Sequence, residues 1–318
     1  MDASSPSSLS RRDALQVGLL ACLGTACGRL AEAASGDAQA LITKPIPSTG
    51  ERLPVIGLGT DSFMGGADSG DMHAEVVRMH ELGGTVIDTA ASYGESEEVI
   101  GDALASSGLR NSIFLATKLT AGGNDFFGGG IGGAASFERS LQRLRTRKVD
   151  LLQVHNLSGV DTLMPLLGKW KSAGQIRYYG VTTSRVQQHD EMADVIRKYP
   201  LDFIQVDYSI ANRDAEKTIF PLAIERKIAV LANLPLVHGG LMRRATSGKL
   251  PPWAGDIGVA SWAQFLLKYV VSHPAVTCAI PGTTQVAHLV DDQGAGRGVL
   301  PDEAMRRRME EYWNRTVS

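Results

Sequence analysis

Ionisable side chains of this sequence stand where short apolar runs end. Asp88 closes Val86-Ile87-Asp88, Lys118 closes Ala116-Thr117-Lys118, and His155 follows Gln153-Val154. Tyr93 comes five residues after Asp88. Singly, each has an ordinary explanation, since an Asp after an apolar run is often a cap and a lone His is often structural. Together they can move a proton. A phenol has an ordinary pKa of about 10, so it needs a cation beside it to donate or accept readily near neutrality. A Lys118 ammonium next to Tyr93 is expected to lower that value. Asp88 would hold Lys118 charged and in place, and His155 would orient a carbonyl oxygen by hydrogen bonding. Such a site has no reductant of its own, so a hydride-carrying cofactor is implied. Schiff-base chemistry at Lys118 is the competing reading, against which Tyr93 and His155 argue.

These groups converge if the chain is an α/β protein of the (β/α)8 TIM-barrel type, where catalytic groups come from the C-terminal ends of the strands. Runs rich in Val, Ile and Leu occur at Val55–Leu58, Thr85–Ile87, Ile113–Ala116, Leu151–Val154, Ile176–Val181, Phe203–Val206, Ala229–Leu231 and Val276–Ile280. They read as buried parallel strands. Helical spacing lies between them at His73–Leu82, Glu95–Ala105, Phe137–Leu144, Leu163–Ser172, Asp190–Tyr199, Phe220–Arg226 and Val259–Val271. Pro47-Ser48-Thr49-Gly50 predicts a small N-terminal β-hairpin, and Asp302–Trp313 a charged C-terminal helix. A doubly wound sheet is the second choice. Gly57-Leu58-Gly59 lacks the third glycine and the following helix of a dinucleotide fingerprint. Ala121–Ala135, with seven glycines, reads as a loop, either a mobile wall of the site or a surface insertion. Gly294–Pro301 is a second glycine-rich stretch. Trp253 is a candidate for the pocket wall.

In this order Asp88, Tyr93, Lys118 and His155 resemble the Asp–Tyr–Lys–His tetrad of the aldo-keto reductases. Further matches are Gly57-Leu58-Gly59-Thr60, Val149–His155, Gly174–Val181 and Ile280-Pro281-Gly282-Thr283, so the resemblance covers residues 42–318. It implies that NADPH, or less often NADH, delivers hydride to an aldehyde or ketone while Tyr93 protonates the oxygen. In reverse, Tyr93 would be the base for alcohol oxidation.

The resemblance also implies cofactor contacts. Asp88 would lie near the nicotinamide ribose, Gln205 at the carboxamide, and Thr60 just after the first strand. Thr182 and Thr183 stand for a Ser-Asn pair, and Asn233 for a stacking aromatic ring. Leu236 and Gly240–Leu241 would cover the pyrophosphate. Thr283 and His288 align with 2′-phosphate positions, and Asp291 and Asp292 with a Glu-Asn pair at adenine. Gly282 replaces a Lys and His288 an Arg, so fewer fixed cations would meet a 2′-phosphate, and NAD stays possible beside NADP. The changes at Thr183 and Asn233 keep open an alternative function, a nucleotide-binding redox-sensing or regulatory subunit with slow turnover. The expected partner is a small-molecule carbonyl substrate.

Residues 1–34 read as a twin-arginine-type signal peptide ahead of one barrel domain over 35–318. Arg11-Arg12 precede the apolar stretch Val17–Ala26, and small residues follow at Ala31–Ser35. Cleavage after Ala33 or Ala34 is expected, with a loose lipoprotein-type match at Leu19–Cys22 as the alternative. The expected partner in transit is the twin-arginine export machinery, and the expected location is periplasmic or extracytoplasmic, with the cytoplasm the alternative if residues 1–34 are an amphipathic helix with a chance Arg pair. Cys22 and Cys27 would leave with the signal, so Cys278 would be the mature chain's one thiol, a small core residue. Lys and Arg number 32 against 34 Asp and Glu, which argues against a nucleic-acid surface. The chain has 318 residues, enough for a core without disulfide or metal staples.

Overall fold

The apolar runs become strands that pair in the order in which they occur. Two short strands, β1 (Thr43–Pro45) and β2 (Arg52–Pro54), form an antiparallel hairpin. Then come β3 (Leu58–Gly59), β4 (Val86–Asp88), β5 (Phe114–Leu119), β6 (Val149–Val154), β7 (Ile176–Thr182), β8 (Phe203–Asp207), β9 (Ala229–Asn233) and β10 (Val276–Ala279). Each of these eight is parallel to its neighbours, and the sheet order follows the chain. Parallel bridges Ile56–Ala279 and Gly59–Gly282 close the sheet on itself. Gly59 is required there, because a Cβ would stand 2.7 Å from the Ile280 carbonyl oxygen.

The computed structural model describes Met1 and residues 39–63, 69–122, 133–245 and 248–316. Leu41–Ser318 forms one compact unit, distinct from Met1–Ala40. Apart from Met1, the signal peptide expected over 1–34 lies outside the described residues, as does most of the expected glycine-rich loop, residues 123–132. No helix among the described residues is long and apolar enough to cross a membrane.

Helices α1 (Ser69–Glu81), α2 (Ser96–Ser107), α3 (Gly133–Arg143), α4 (Val160–Ser172), α5 (His189–Lys198) and α6 (Ile219–Glu225) connect β3 through β9. After β9 come α7 (Gly240–Ala245) and α8 (Trp262–Ser272), and after β10 come α9 (Val286–Gly294) and α10 (Glu303–Thr316). Two of these correct the sequence reading. Gly240–Leu241 open a short helix instead of a loop, and Val286–Gly294 forms the helix after β10 that sequence spacing did not show. Helix α8 starts at Trp262, three residues later than its apolar spacing, because the Ser261 hydroxyl caps it, accepting from the Gln264 amide at 3.1 Å.

Period-2 alternation sorts each strand's residues between two cores. One core fills the barrel and includes Val86, Phe114, Leu151, Tyr178, Phe203 and Cys278. Cys278 has no exposed surface, as expected of a core thiol. The other core lies between sheet and helices. Ile46 and Leu53 of the hairpin belong to the inner core, so the hairpin plugs the end where the strands begin. Lys44 secures it by donating to the carbonyls of His273 at 2.8 Å and Val276 at 2.7 Å.

If the plug carries part of the inner core, Leu53→Ala lowers unfolding stability in urea by about 2–5 kcal/mol. A loss below about 1 kcal/mol would show that the barrel closes without it.

Candidate active site

The alternation that sends Val86, Phe114, Leu151, Phe203 and Leu231 inward also places Asp88, Lys118, Gln153, Gln205 and Asn233 inward. These sit at the C-terminal ends of their strands, so the apolar interior is topped by a polar layer. Lys118 has 1 % of its surface exposed and Asp88 2 %. The Lys118 Nζ donates to Asp88 Oδ2 at 2.6 Å, to the Thr89 carbonyl at 2.9 Å and to the Tyr93 hydroxyl at 3.3 Å. Asp88 Oδ1 accepts from Gln205 Nε2 at 2.8 Å. Burial works against charge on Asp88 and pushes its carboxyl upward, while Lys118 and Gln205 act in the opposite sense. The neighbouring carboxylate holds the Lys118 ammonium above its ordinary value despite the burial.

Tyr93 corrects an expectation. Its pKa is raised, because burial outweighs the lowering by Lys118. The phenol therefore stays protonated across the neutral range and is a donor. The His155 ring stands edge-on to the Tyr93 ring, 5.7 Å between centroids. Burial, aided by Lys118, lowers the His155 pKa to about 3, so the ring is neutral at pH 7. Ser92 Oγ lies 3.2 Å from His155 Nδ1. When that hydroxyl donates to Nδ1, the proton rests on Nε2, which is then free to donate to a substrate.

A cavity of about 890 Å³ opens over this layer. Asp88, Tyr93 and His155 line it, together with Thr60, Thr182, Gln205, Asn233, Leu236, Thr283, His288, Asp291 and Asp292. Expected residues absent from its wall are Lys118, Thr183, Gly240 and Leu241. Lys118 lies behind it, hydrogen-bonded to Asp88 and Tyr93, which do line it. Thr183 is fully buried, and its hydroxyl donates to Gln188 Oε1 at 2.7 Å and accepts from the Arg185 amide at 3.1 Å. Its side chain is therefore not a cofactor contact. Nor does Trp253 line the cavity, since it packs against Phe265 and Tyr312. Asn233 is held by hydrogen bonds from its Nδ2 to the Thr183 carbonyl at 3.0 Å and to Gln205 Oε1 at 3.4 Å.

Sequence reading missed Ser92, Thr120, Asn156, Ser158 and Arg185, which also line the cavity. Polar residues in loops carry no periodicity. The available signal was nearness to a strand end.

A family model described as the aldo/keto reductase family matches residues 55–312. The chain belongs to the aldo/keto reductase family. Membership makes it an oxidoreductase. It is 33 % identical over 218 residues to aldo-keto reductase YhdN of Bacillus subtilis, covering 64 % of this chain and 63 % of that one. It is 31 % identical over 247 residues to methylglyoxal reductase YeaE of Escherichia coli, covering 74 % of this chain and 83 % of that one. Among solved structures, an aldo/keto reductase from Klebsiella pneumoniae in complex with NADP and acetate superimposes with a TM-score of 0.70. Its identity is 26 %, over 86 % of this chain and 96 % of that one.

Asp292 on the cavity wall and Glu75, which does not reach that wall, form an unusual pair of acids. Asp292 belongs to α9, and Glu75 on α1 is fully buried, with neither carboxylate oxygen hydrogen-bonded. Burial pushes both to about 8, Glu75 further raised by Asp71 and Asp292, and Asp292 by Asp291. A raised carboxyl binds its proton more tightly folded than unfolded. Its stabilising effect is full below the unfolded value of about 4 and is lost as pH rises through about 8. Melting temperature is therefore expected to fall between pH 5 and pH 9, and Glu75→Gln to flatten that slope. An unchanged slope in the variant would mean that Glu75 does not titrate in this window.

Proposed function

We propose that the protein uses NADPH to reduce an aldehyde or ketone, with Tyr93 as the general acid. The observation that carries this reading is the relay from the Tyr93 hydroxyl to the Lys118 ammonium at 3.3 Å and on to Asp88 at 2.6 Å, opening on a cavity that His155 shares. The cavity suits a nucleotide. Its volume falls within the usual range for small-molecule sites. Its wall supplies the Thr182, Thr283 and Gln205 side chains, and a bend in which His238 and Gly239 both have positive φ, 48° and 73°. Thr60, Thr182, Gln205, Asn233 and Asp88 would hold the nicotinamide half. Leu236 and the His238–Gly239 bend would hold the diphosphate, and Thr283, His288, Asp291 and Asp292 the adenosine.

Bound NADPH would supply the hydride. Tyr93 gives its proton to the developing alkoxide, and Lys118 stabilises the phenolate left behind. His155, neutral, donates one hydrogen bond that orients the carbonyl. The solved relatives carrying NADP or NADPH favour this cofactor.

Absorbance loss of NADPH with a panel of simple aldehydes tests the reading. Tyr93→Phe should lower kcat by about 10²–10⁴-fold with little change in NADPH affinity. Because His155 titrates at about 3 and Tyr93 above its ordinary range, kcat for reduction should stay flat between pH 5 and pH 8. Saturable NADPH binding without turnover of any carbonyl would favour the regulatory alternative.

We also propose export through the twin-arginine route, on the Arg11-Arg12 pair and the apolar stretch that follows. That route carries folded proteins, so the barrel would leave the cytoplasm with its nucleotide in place. Protein that stays in the cytoplasm would count against export, and protein purified from the periplasm that releases no nucleotide would count against carriage of the cofactor.

A further inference from the structure

The cavity is electrically lopsided. Among its described lining residues Arg185 is the one lysine or arginine. The acids on its wall, besides Asp88 in its ion pair with Lys118, are Asp61, Asp291 and Asp292. Asp61 follows β3, and the other two belong to α9, which follows β10. Since β10 and β3 close the barrel, these acids share one arc of the rim. Arg185 follows β7, which lies four strands from β3 in either direction around the sheet. It therefore stands across the cavity from these acids, next to the loop after β6 that carries His155 and three strands from β4, which Tyr93 follows. No carboxylate among the described residues pairs with its guanidinium, which is exposed at the mouth.

The loop that carries Arg185 is braced to the loop that carries His155. The Arg185 amide donates to Thr183 Oγ1 at 3.1 Å, and that hydroxyl donates to Gln188 Oε1 at 2.7 Å. Gln188 Nε2 reaches across to the carbonyl of Asn156 at 3.2 Å, and the Asn156 amide donates to Thr182 Oγ1 at 3.1 Å. Thr183, where an amide side chain was expected, is thus the post that supports this turn. An unpaired cation held at fixed backbone distance from the carbonyl-orienting histidine is suited to a substrate with a negative charge at one end.

We propose that Arg185 determines substrate specificity by pairing with a carboxylate or phosphate group on the carbonyl compound held between Tyr93 and His155. The substrate class is then an oxo acid, or an aldehyde or ketone that carries an anionic group. This rests on the reductase reading above for the carbonyl, but the charge pairing can be measured without turnover.

The test is calorimetry on the full chain saturated with NADP⁺, which cannot reduce the added aldehyde. The probes are p-formylbenzoate and p-tolualdehyde, alike in shape and different in charge. Wild type should prefer the carboxylate, and Arg185→Ala should shrink the preference by about 10-fold, as loss of one charge-assisted contact implies. Arg185→Lys should restore part of it, and added salt should weaken it in wild type. An equal preference in wild type and Arg185→Ala would overturn the proposal. So would weakened NADP⁺ binding in Arg185→Ala with the preference intact, because that places the guanidinium on a cofactor phosphate. A separate assay of NADPH consumption with both aldehydes isolates the other reading. No turnover by wild type, with the charge preference intact, removes the reductase and leaves the anion site.

Discussion

A lysine sealed inside a barrel keeps its charge only if a carboxylate is sealed in with it. The Asp88–Lys118 pair, 2.6 Å apart and almost without exposed surface, is the constraint on which the rest of the site depends. Removing two charges from water is expensive, and their attraction offsets this only with good geometry and with the remaining polar atoms satisfied. Here Gln205 satisfies the second carboxylate oxygen, and the Thr89 carbonyl and Tyr93 hydroxyl take further ammonium protons. The pair is therefore costly as a source of stability and useful as a source of field. Its ammonium faces the phenol at 4.7 Å from the ring centre, and the same positive field helps keep His155 neutral. A neutral donor and a neutral acid are what a carbonyl oxygen needs as negative charge develops on it.

Much of the fold could be read because its signals are local and repeated. Runs such as Ile176–Val181 and Phe203–Val206 lie within the observed strands, and Asp88, Lys118 and His155 do stand at strand ends. The failures have physical causes. Val286–Gly294 was missed because a nine-residue helix with Asp291 and Asp292 adjacent gives little periodic signal, and its contacts with the rest of the fold decide its conformation. The direction of the Tyr93 shift was misjudged because spacing reveals the nearby lysine but not the depth of burial. Thr183 was misassigned because a residue next to a binding strand can turn its hydroxyl into its own loop, and nothing in the residue type tells the two apart.

Backbone strain is distributed in the same way as the chemistry. Left-handed conformations are unfavourable for side chains larger than Asn or Asp. Among the described residues, Asn156 and Leu157 after β6, and Leu234, Val237 and His238 after β9, adopt them on the cavity side. The other two, Arg145 and Lys227, end helices α3 and α6, where a left-handed residue is a normal stop. The strained residues thus cluster where side chains must be aimed. Asn156 is held by Thr182 and Gln188, and the Leu234–His238 turn by hydrogen bonds from the Val237 amide to the Leu234 carbonyl and from the Gly240 amide to the Val237 carbonyl. A barrel with a continuous strand ladder and a plugged lower end can support such strain at its upper rim, since the strands that carry the loops do not yield. The polar layer, the unusual turns and the cross-braced loops are consequences of one arrangement. A rigid apolar cylinder holds a buried ion pair, and the loops around it frame the cavity onto which that pair's field opens.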